Sequence, residues 1–323
     1  MSIIRPMTVV FRVAAGPRRG FGHLARCRAL AGALGVPALV SLRATPSTAR
    51  AAAATGVTLV GGGVRLLDRV RPSLVVVDDP DTAHARTWVA AARRRGLPVA
   101  AISDAGRGRV DADLVIDGSV NARRPSGARH LSGPRYAVLD PRVDGLRTSR
   151  RRRPRRICIA LGGGAHVFGV VPALTAVLAA RVPDADIRVA PGFTTRPRPA
   201  LAVGRWLAPG ALVPALASAD LAIVGGGLTA YEACALGVPS VAVAVVPGQR
   251  STIRTLAGRG AIVDGGAWRP ARTGRIGDLA ARLLHASARR RTLARAGRRL
   301  VDGRGARRIA AALVRLAEGA RRG

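Results

Sequence analysis

Lysine is absent from this sequence. All 53 basic residues among its 323 are arginine, against 18 acidic residues, which gives a formal net charge of +35. A protein selected to bind nucleic acid normally uses both basic residue types, because lysine is also a good phosphate contact. Together with abundant alanine and glycine, the arginine-only pattern indicates a coding bias, so the charge is a poor guide to function. It predicts non-specific binding to polyanions at low salt, and no specific nucleic acid partner.

Aromatic residues, cysteines and long apolar runs are also scarce. Aromatics make up 3% of the chain, so a core must be built from alanine, valine and leucine, while the 48% hydrophobic content excludes intrinsic disorder. Cys27, Cys158 and Cys234 lie too far apart for a metal-binding spacing or a disulfide framework. The longest nearly apolar stretch, 233–248, is shorter than the ~20 residues that span a bilayer. We therefore expect a cytoplasmic protein without a transmembrane segment, a metal or a cofactor.

Short β-branched runs alternate with helix-length stretches rich in alanine, arginine and leucine. This alternation predicts an α/β protein with parallel sheets, and 323 residues suit about two domains of ~150 residues each. We predict two doubly wound, Rossmann-like domains that face each other across a cleft, over 1–148 and 157–323, joined by an arginine-rich linker over 149–156. An exposed loop within one domain is the alternative for the linker. Whether the last helix packs back on the N-terminal domain stays open.

Particular elements follow from the same pattern. Thr8–Val13 is a predicted strand, and a helix is predicted from about His23 to Leu34. Two helices are predicted near the C-terminus, over Ile276–Leu300 and Gly305–Glu318. Ligands of such folds bind at strand ends, so the residues that follow strands are the first candidates for a site.

A histidine follows the glycine-rich loop after the first predicted strand, in the segment Gly20-Phe21-Gly22-His23. Glycines let a backbone approach a ligand closely. His23 is expected in the first turn of a helix, where the positive end of the helix dipole disfavours an imidazolium, and a neutral histidine facing a cleft suits a general base. A histidine that caps or packs at the helix start is the structural alternative. The segment is not a dinucleotide-binding fingerprint, because the third glycine is missing.

A second glycine-rich segment, Gly225-Gly226-Gly227, follows a predicted strand and opens a helix that contains Thr229 and Glu232. Free N–H groups at such a helix start form an anion site that suits a pyrophosphate. Thr229 adds a hydroxyl donor, and the Glu232 carboxylate can accept both hydroxyls of a ribose. The alternative is a turn needed for close helix–strand packing, with Glu232 a solvated acid.

Two further loops are candidates for the same site. The first, Gly162-Gly163-Gly164, follows a predicted strand and resembles the segment at 225–227, which suggests the other wall of a nucleotide pocket. In the second loop, Gln249 offers both a donor and an acceptor for sugar hydroxyls. An ordinary turn explains Gln249 equally well.

Acidic residues close two predicted strands of the first domain. Asp78 and Asp79 follow one strand, and Asp104 follows the next. Acids at strand ends in these folds face the crevice, which suggests substrate binding or a proton relay, whereas the alternative is that they cap the following helices. We include Asp104 among the candidate binding residues, together with Arg12 of the first strand.

Several segments resemble one enzyme family over most of the chain, from residue 7 to about 313. The segments occur in the family's order: FRVAAGPRRGFGHLARCRALAGAL, VVVDDP, ISDAG, DADLVID, GPRYAVLD, ADLAIVGGGLTAYEACALGVPSVAVAVVPGQR and VDGRGARRI. The family is the nucleotide-sugar hydrolase of pseudaminic acid biosynthesis, which cleaves UDP-2,4-diacetamido-2,4,6-trideoxy-β-L-altropyranose. It is related to the transferase that adds N-acetylglucosamine in lipid II synthesis. Both have the two-domain glycosyltransferase-B fold.

This resemblance implies a reaction and a site. His23 matches the family's catalytic histidine, which activates water to attack the anomeric carbon and releases UDP and a free sugar, without a metal or cofactor. The family's second glycine-rich segment, which maps onto 225–232, holds UDP. We therefore predict a UDP-sugar hydrolase with these candidate binding residues beside His23: Arg12, Gly20, Gly22, Asp104, Gly163, Gly164, Gly226, Gly227, Thr229, Glu232 and Gln249.

The chain departs from the family's pattern at several positions. Aspartate is usual at Ala14 and Ala165, tyrosine at Pro80, and asparagine at Gly248. Such residues contact the sugar or the water, so the resemblance supports the UDP half of the site better than the sugar half. Another nucleotide sugar as substrate, or a reduced activity, follows as an alternative.

Two other functions stay open. A glycosyltransferase of the same fold would move the sugar from UDP to an acceptor, also with His23 as base. A non-enzymatic basic protein would bind nucleic acid or an anionic membrane surface through clusters such as Arg150–Arg153, Arg289–Arg291 and Arg298–Arg299. Solvated helix faces or a linker explain these clusters, because the aromatic residues that stack on bases are scarce.

Overall fold

The computed structural model describes residues 7–16, 21–103, 110–123, 129–146, 154–164, 167–192 and 197–322. The chain forms two compact units: unit 1 combines Met1–Pro141 with Arg304–Gly323, and unit 2 is Arg142–Gly303. The boundary therefore lies before the expected linker, and the C-terminal segment belongs with the N-terminal one. Much of that linker, 149–153, lies outside the described residues, and Arg156 already belongs to a strand.

Unit 1 is built on a seven-stranded parallel sheet in the order β3-β2-β1-β4-β5-β6-β7. Its central strands are short, rich in β-branched residues and buried on both faces, which is typical of parallel sheets covered by helices. The strands are β1 (Val9–Ala14), β2 (Leu39–Arg43), β3 (Thr58–Leu59), β4 (Leu74–Asp78), β5 (Val99–Ile102), β6 (Leu114–Asp117) and β7 (His130–Ser132).

Unit 2 has a six-stranded parallel sheet in the order β10-β9-β8-β11-β12-β13. Its strands are β8 (Arg156–Ala160), β9 (Asp186–Val189), β10 (Arg205–Trp206), β11 (Leu221–Val224), β12 (Ser240–Ala244) and β13 (Val263–Ala267). In each unit the chain first adds strands on one side of the first strand, and then adds the remaining strands on its other side. The direction changes between β1 and β4 in unit 1 and between β8 and β11 in unit 2, and ligands of doubly wound folds bind beyond the carboxyl ends of strands at such points.

Helices cover these sheets. Unit 1 contains α1 (Gly22–Leu34), α2 (Pro46–Ala53), α3 (Leu66–Val70), α4 (Thr82–Arg93) and α12 (Gly305–Arg322). Unit 2 contains α5 (Arg142–Gly145), α6 (Val167–Arg181), α7 (Leu212–Ala217), α8 (Leu228–Leu236), α9 (Arg250–Gly258), α10 (Thr273–His285) and α11 (Ser287–Leu300). Among the described residues, no helix combines the length and the apolar character needed to cross a bilayer.

The last helix completes the core of unit 1. Ile309 and Leu313 of α12 are fully buried and belong to one apolar cluster with Leu24 and Leu30 of α1. These residues form the apolar stripe of an amphipathic helix, which is stable only when another surface covers it. This packing is the physical reason that the segment after 303 belongs with unit 1.

The prediction of one helix over Ile276–Leu300 is wrong, because the structure has two helices there. The first, α10, ends at His285; Ala286 leaves the helical conformation with φ −82° and ψ 78°, and α11 begins at Ser287. The helix α10 packs against α6, whereas α11 packs against α8, so the chain must change direction between them. The apolar pattern runs on through the break because each helix buries a stripe of its own.

Candidate active site

His23 lies in the first turn of α1, at the carboxyl edge of the sheet of unit 1. Its Nδ1 is 2.8 Å from Oδ1 of Asp78, the last residue of β4. Alternate residues of β4, including Val76, pack on the face that α1 covers, so the strand period also directs Asp78 toward α1. The side chain of His23 is 13% exposed and that of Asp78 is buried. A histidine held by a buried carboxylate is the arrangement that orients a general base.

Arg26, one turn further along α1, binds the same carboxylate. Its Nε lies 2.9 Å from Oδ2 of Asp78 and its Nη2 lies 2.6 Å from Oδ1, so the ion pair is bidentate. The same Nη2 lies 2.7 Å from Nδ1 of His23. Because a guanidinium only donates, Nδ1 either carries a proton and donates it to Asp78, or accepts a hydrogen bond from Arg26. In the first tautomer Nε2 keeps its lone pair and can take a proton.

A second ion-pair group lies on the opposite face of the same sheet edge. Asp79, directly after β4, accepts hydrogen bonds from Nε of Arg43 at 3.0 Å and from Nη2 at 2.5 Å. The predicted binding residue Arg12 brings its Nε to 3.4 Å from Asp79 and lies over the ring of Trp88 on α4. Burial lowers the pKa of Arg12. Burial opposes the charge of Asp79, but hydrogen bonds from Arg43 and from the N–H of Asp81 hold the pKa of this carboxyl below its usual value.

Two glycine-rich turns lie next to each other at the carboxyl edge of unit 2. The turn Gly162–Gly164 follows β8, the turn Gly225–Gly227 follows β11, and these two strands are paired. A β-carbon on Gly225 would stand 2.5 Å from the carbonyl oxygen of Leu161, the residue before the first turn. The close approach of the two turns therefore requires glycine at this position.

The second of these turns leads directly into α8. Gly227 caps the helix and is exposed, and a β-carbon on it would meet no atom within 4 Å. In the part of the chain that the structure describes, no side chain caps this helix end, so its first N–H groups are available to an anion. Thr229 lies in the first turn and is half-buried, while Glu232 lies in the second turn and is buried. Backbone donors, a hydroxyl and a carboxylate thus occupy the start of one helix.

Gln249 packs against the same glycine turn. A β-carbon on Gly226 would stand 2.7 Å from the carbonyl oxygen of Gln249. The side-chain Oε1 of Gln249 accepts a hydrogen bond from the N–H of Val245 at 2.9 Å. The acceptor atom that we expected to contact sugar hydroxyls is therefore used within its own loop, and the donor Nε2 makes no hydrogen bond to another described residue.

Only some of the other predicted positions fall within the described residues. Gly20, Asp104, Ala165 and Arg150–Arg153 lie outside them. Gly22 is the first residue of α1, and Gly163 and Gly164 lie in the turn after β8. The remaining departures from the hydrolase pattern are Ala14 at the end of β1, Pro80 after β4 and Gly248 in the turn before α9. Within the described ranges, no three His, Cys, Asp or Glu side chains gather into a possible metal site.

Sequence reasoning missed two arginines of this region. Arg26 follows His23 by three residues, the spacing that brings two side chains to one helix face, and this signal could have found it. Arg43 ends β2, a strand that we did not predict. The segment Ala38–Leu42, which follows a proline and is apolar except for Ser41, is the signal for that strand.

No model of a known protein family matches this chain. The chain is 28% identical over 233 residues to the spore coat polysaccharide biosynthesis protein SpsG of Bacillus subtilis (strain 168). This match covers 64% of the chain and 66% of SpsG, so the chain spans just under two thirds of the length of that curated relative.

Three solved structures are similar over nearly the whole chain. MurG of Acinetobacter baumannii is 18% identical, with 95% of this chain and 99% of that chain covered and a TM-score of 0.62. The spinosyn forosaminyltransferase SpnP is 18% identical, with 97% and 100% covered and a TM-score of 0.65. The spinosyn rhamnosyltransferase SpnG complexed with thymidine diphosphate is 21% identical, with 97% and 100% covered and a TM-score of 0.60. These likenesses confirm the predicted fold class: the chain has two Rossmann-like α/β domains in the glycosyltransferase-B fold.

Proposed function

We propose that this chain is an enzyme that uses a nucleoside diphosphate sugar and transfers its glycosyl group to an acceptor hydroxyl. The hydrogen bond between His23 and Asp78 carries the proposal, because a histidine oriented by a carboxylate can take the proton of the acceptor. The comparisons support transfer, since two similar structures are named as a forosaminyltransferase and a rhamnosyltransferase. SpsG, the curated relative, is named for the biosynthesis of a polysaccharide.

The nucleotide is assigned to unit 2. Its diphosphate binds the N–H groups at the start of α8, beside Gly226 and Gly227, and Thr229 adds a hydroxyl donor. Glu232, one turn further along the helix, accepts the ribose hydroxyls. UDP is the nucleotide that the sequence resemblance implies, and thymidine diphosphate in SpnG supports a pyrimidine nucleoside diphosphate of this kind.

The chemical step needs a base for the nucleophile and stabilisation of the leaving group. The acceptor oxygen attacks the anomeric carbon, and its proton passes to Nε2 of His23. The bond between the anomeric carbon and the phosphate oxygen breaks, and its electron pair leaves with the nucleoside diphosphate. Asp78 holds the proton on Nδ1 of His23 and stabilises the imidazolium that forms. The N–H groups at the start of α8 stabilise the charge that develops on the leaving diphosphate.

Hydrolysis of the same donor is the second candidate, and the motif resemblance to the nucleotide-sugar hydrolase favours it. Water then replaces the acceptor, and the products are UDP and a free sugar. The base His23 and the nucleotide site serve both reactions, so the two candidates differ only in the nucleophile.

Release of UDP from a panel of UDP-sugars, measured with and without candidate acceptors, tests both reactions. Transfer predicts release that depends on an acceptor, whereas hydrolysis predicts release without one. We expect His23→Ala to lower the rate by about 10²- to 10⁴-fold. The exposed His285 at the end of α10 provides a matched control, and His285→Ala should leave the rate unchanged. Equal rates for the wild type and His23→Ala would contradict the assigned base, and a wild type that does not bind UDP would contradict the nucleotide site.

A further inference from the structure

The ion pairs around Asp79 are not used by the proposed reaction. We call Arg12, Arg43 and Asp79 the arginine cluster. Its members come from β1, from the end of β2 and from the residue after β4, which are neighbouring strands of one sheet. Asp78 and Asp79 are consecutive, so the arginine cluster and the histidine that binds Asp78 flank the same strand end.

The arginine cluster holds more positive than negative charge. Two guanidiniums, 9% and 20% exposed at Arg12 and Arg43, share the fully buried carboxylate of Asp79. Asp81 is 3.9 Å from Arg43, but it is 37% exposed and caps α4 by accepting a hydrogen bond from the N–H of Ala83. Within the described residues, Asp79 is therefore the one fully buried carboxylate that the two guanidiniums share, and Asp81 pairs with Arg43 only from the partly exposed edge of the cluster. Holding a guanidinium with so little contact to a carboxylate is costly, and the contact of Arg12 with the ring of Trp88 offsets that cost only in part.

Both arginines also have N–H donors that make no hydrogen bond to the described residues. Nε of Arg12 is buried and has no hydrogen-bond partner among the described residues, because its contact with Asp79 at 3.4 Å is an ion pair without hydrogen-bond geometry. Nη1 of Arg12 reaches the hydroxyl of Ser41 at the long distance of 3.4 Å. Arg43 uses Nε and Nη2 on Asp79, and its Nη1 makes no hydrogen bond to the residues that the structure describes. A complementary partner must therefore bring acceptor atoms and a negative charge.

We propose that the arginine cluster binds a carboxylate carried by the sugar of the donor or by the acceptor. This inference rests on the proposed function, because it names the chemical class of that enzyme's carbohydrate ligand. A carboxylate supplies the missing charge, and its two oxygens match the forked donors of arginine. The cluster also lies near the carboxyl ends of β1, β2 and β4, beside the point where the strand order reverses and where ligands of such folds bind.

Calorimetry with the full chain tests the proposal and distinguishes the two sources of the carboxylate. UDP-glucose and UDP-glucuronate differ only in the group at the sugar's outer carbon, so their affinities isolate a carboxylate on the donor. Free glucuronate, added to protein saturated with UDP, tests a carboxylate on the acceptor. We expect the wild type to bind UDP-glucuronate about tenfold or more tightly than UDP-glucose, or else to bind free glucuronate in the presence of UDP.

Variants of one arginine make the test specific. Arg43→Gln removes one charge from the cluster and should reduce the preference for the carboxylate to within about twofold, with the affinity for UDP itself unchanged. Arg95→Gln is the matched control, because Arg95 forms a similar two-pronged pair with Asp68, at 2.7 Å for both contacts, elsewhere in unit 1. If Arg43→Gln does not fold, Arg43→Lys replaces it in the test. Lysine keeps the positive charge but lacks the paired N–H donors of a guanidinium, so the preference for UDP-glucuronate should fall about threefold.

Several results would overturn the inference. One is a wild type that shows neither the preference for UDP-glucuronate nor binding of free glucuronate. Others are a preference that survives Arg43→Gln, or one that Arg95→Gln removes equally. A loss of affinity for UDP alone in Arg43→Gln would assign the cluster to the diphosphate instead, which also overturns it. If the wild type does not bind UDP at all, the proposed function fails, and that outcome is distinct from all the others.

Discussion

The buried ion pair between Arg26 and Asp78 allows protein stability and catalysis to be separated by substitution. The two side chains are 9% and 4% exposed and share two hydrogen bonds. Removing one partner of a buried pair leaves an uncompensated charge and costs about 3–5 kcal/mol, whereas replacing both partners by neutral residues costs far less. We therefore expect Asp78→Asn and Arg26→Met each to lower the free energy of unfolding by about 3 kcal/mol, and the double variant by about 1 kcal/mol.

Urea unfolding of unit 1 can be followed by one tryptophan. Trp88 packs in the core of unit 1, whereas Trp206 and Trp268 belong to unit 2, so a background with Trp206→Phe and Trp268→Phe isolates the signal. With an m-value of about 1–3 kcal/mol/M, a loss of about 3 kcal/mol moves the unfolding midpoint by about 1–3 M urea. The double variant should recover most of that shift.

Catalysis should not recover in the same way. In Asp78→Asn, and equally in the double variant, His23 has lost the carboxylate that orients it, so kcat should fall by about 10²- to 10⁴-fold in both. Arg26→Met keeps the carboxylate beside His23, and its kcat should fall less than that of Asp78→Asn. The release of UDP from the best donor in the panel measures all of these variants.

Two outcomes would refute this reasoning. A loss of less than about 1 kcal/mol in both single variants would mean that the pair behaves as a solvated surface ion pair. A double variant that regains kcat together with stability would mean that Asp78 supports the fold rather than His23.

Three further predictions concern the nucleotide site, pH and salt. Gly226→Ala should weaken UDP binding and destabilise unit 2, because its β-carbon would stand 2.7 Å from the carbonyl oxygen of Gln249. Gly227→Ala meets no atom and should destabilise unit 2 less, by no more than the loss of the glycine N-cap, as calorimetry and thermal unfolding can show. Because the folded state holds the pKa of Asp79 below its usual value, the charge of Asp79 stabilises the fold above about pH 4, and this contribution is lost as the pH falls through the folded pKa. The free energy of unfolding, measured with urea at pH values from 7 to 3, should therefore change less with pH in Asp79→Asn than in the wild type. Binding to duplex DNA should weaken by about 10³-fold or more between 50 and 200 mM salt and show no sequence preference, whereas tight, sequence-dependent binding would revive a nucleic acid function.

The fold was predictable because its signals are local. Apolar strands that alternate with helix-length stretches predicted parallel sheets, and the predicted starts of β1 and α1 lie within a residue of those in the structure. The glycine segments at 162–164 and 225–227 were recognisable because a close approach of two backbone segments requires glycine, and consecutive glycines are visible in the sequence. The boundary between α10 and α11 left no such mark, since both helices continue one apolar pattern.

The partners within the candidate site were not predictable, because they depend on which strands lie side by side. His23 and Asp78 are 55 residues apart, and Arg43 and Asp79 are 36 apart. Both acids were recognised as strand-end residues, but their partners follow from the sheet order, which places β2 and β4 on either side of β1. An arginine such as Arg43 in a chain rich in arginine carries no signal of its own until that order is known.

The return of α12 to unit 1 has a consequence for how the chain matures during translation. Unit 2 is one continuous segment, Arg142–Gly303, and all of it has left the ribosome before the last helix appears. The apolar surface around Leu24 and Leu30, although made first, therefore stays uncovered until Ile309 and Leu313 emerge. The half of the protein that is synthesised first is thus the half that is finished last, and chaperones that shield nascent apolar surface have the longest time to act on it.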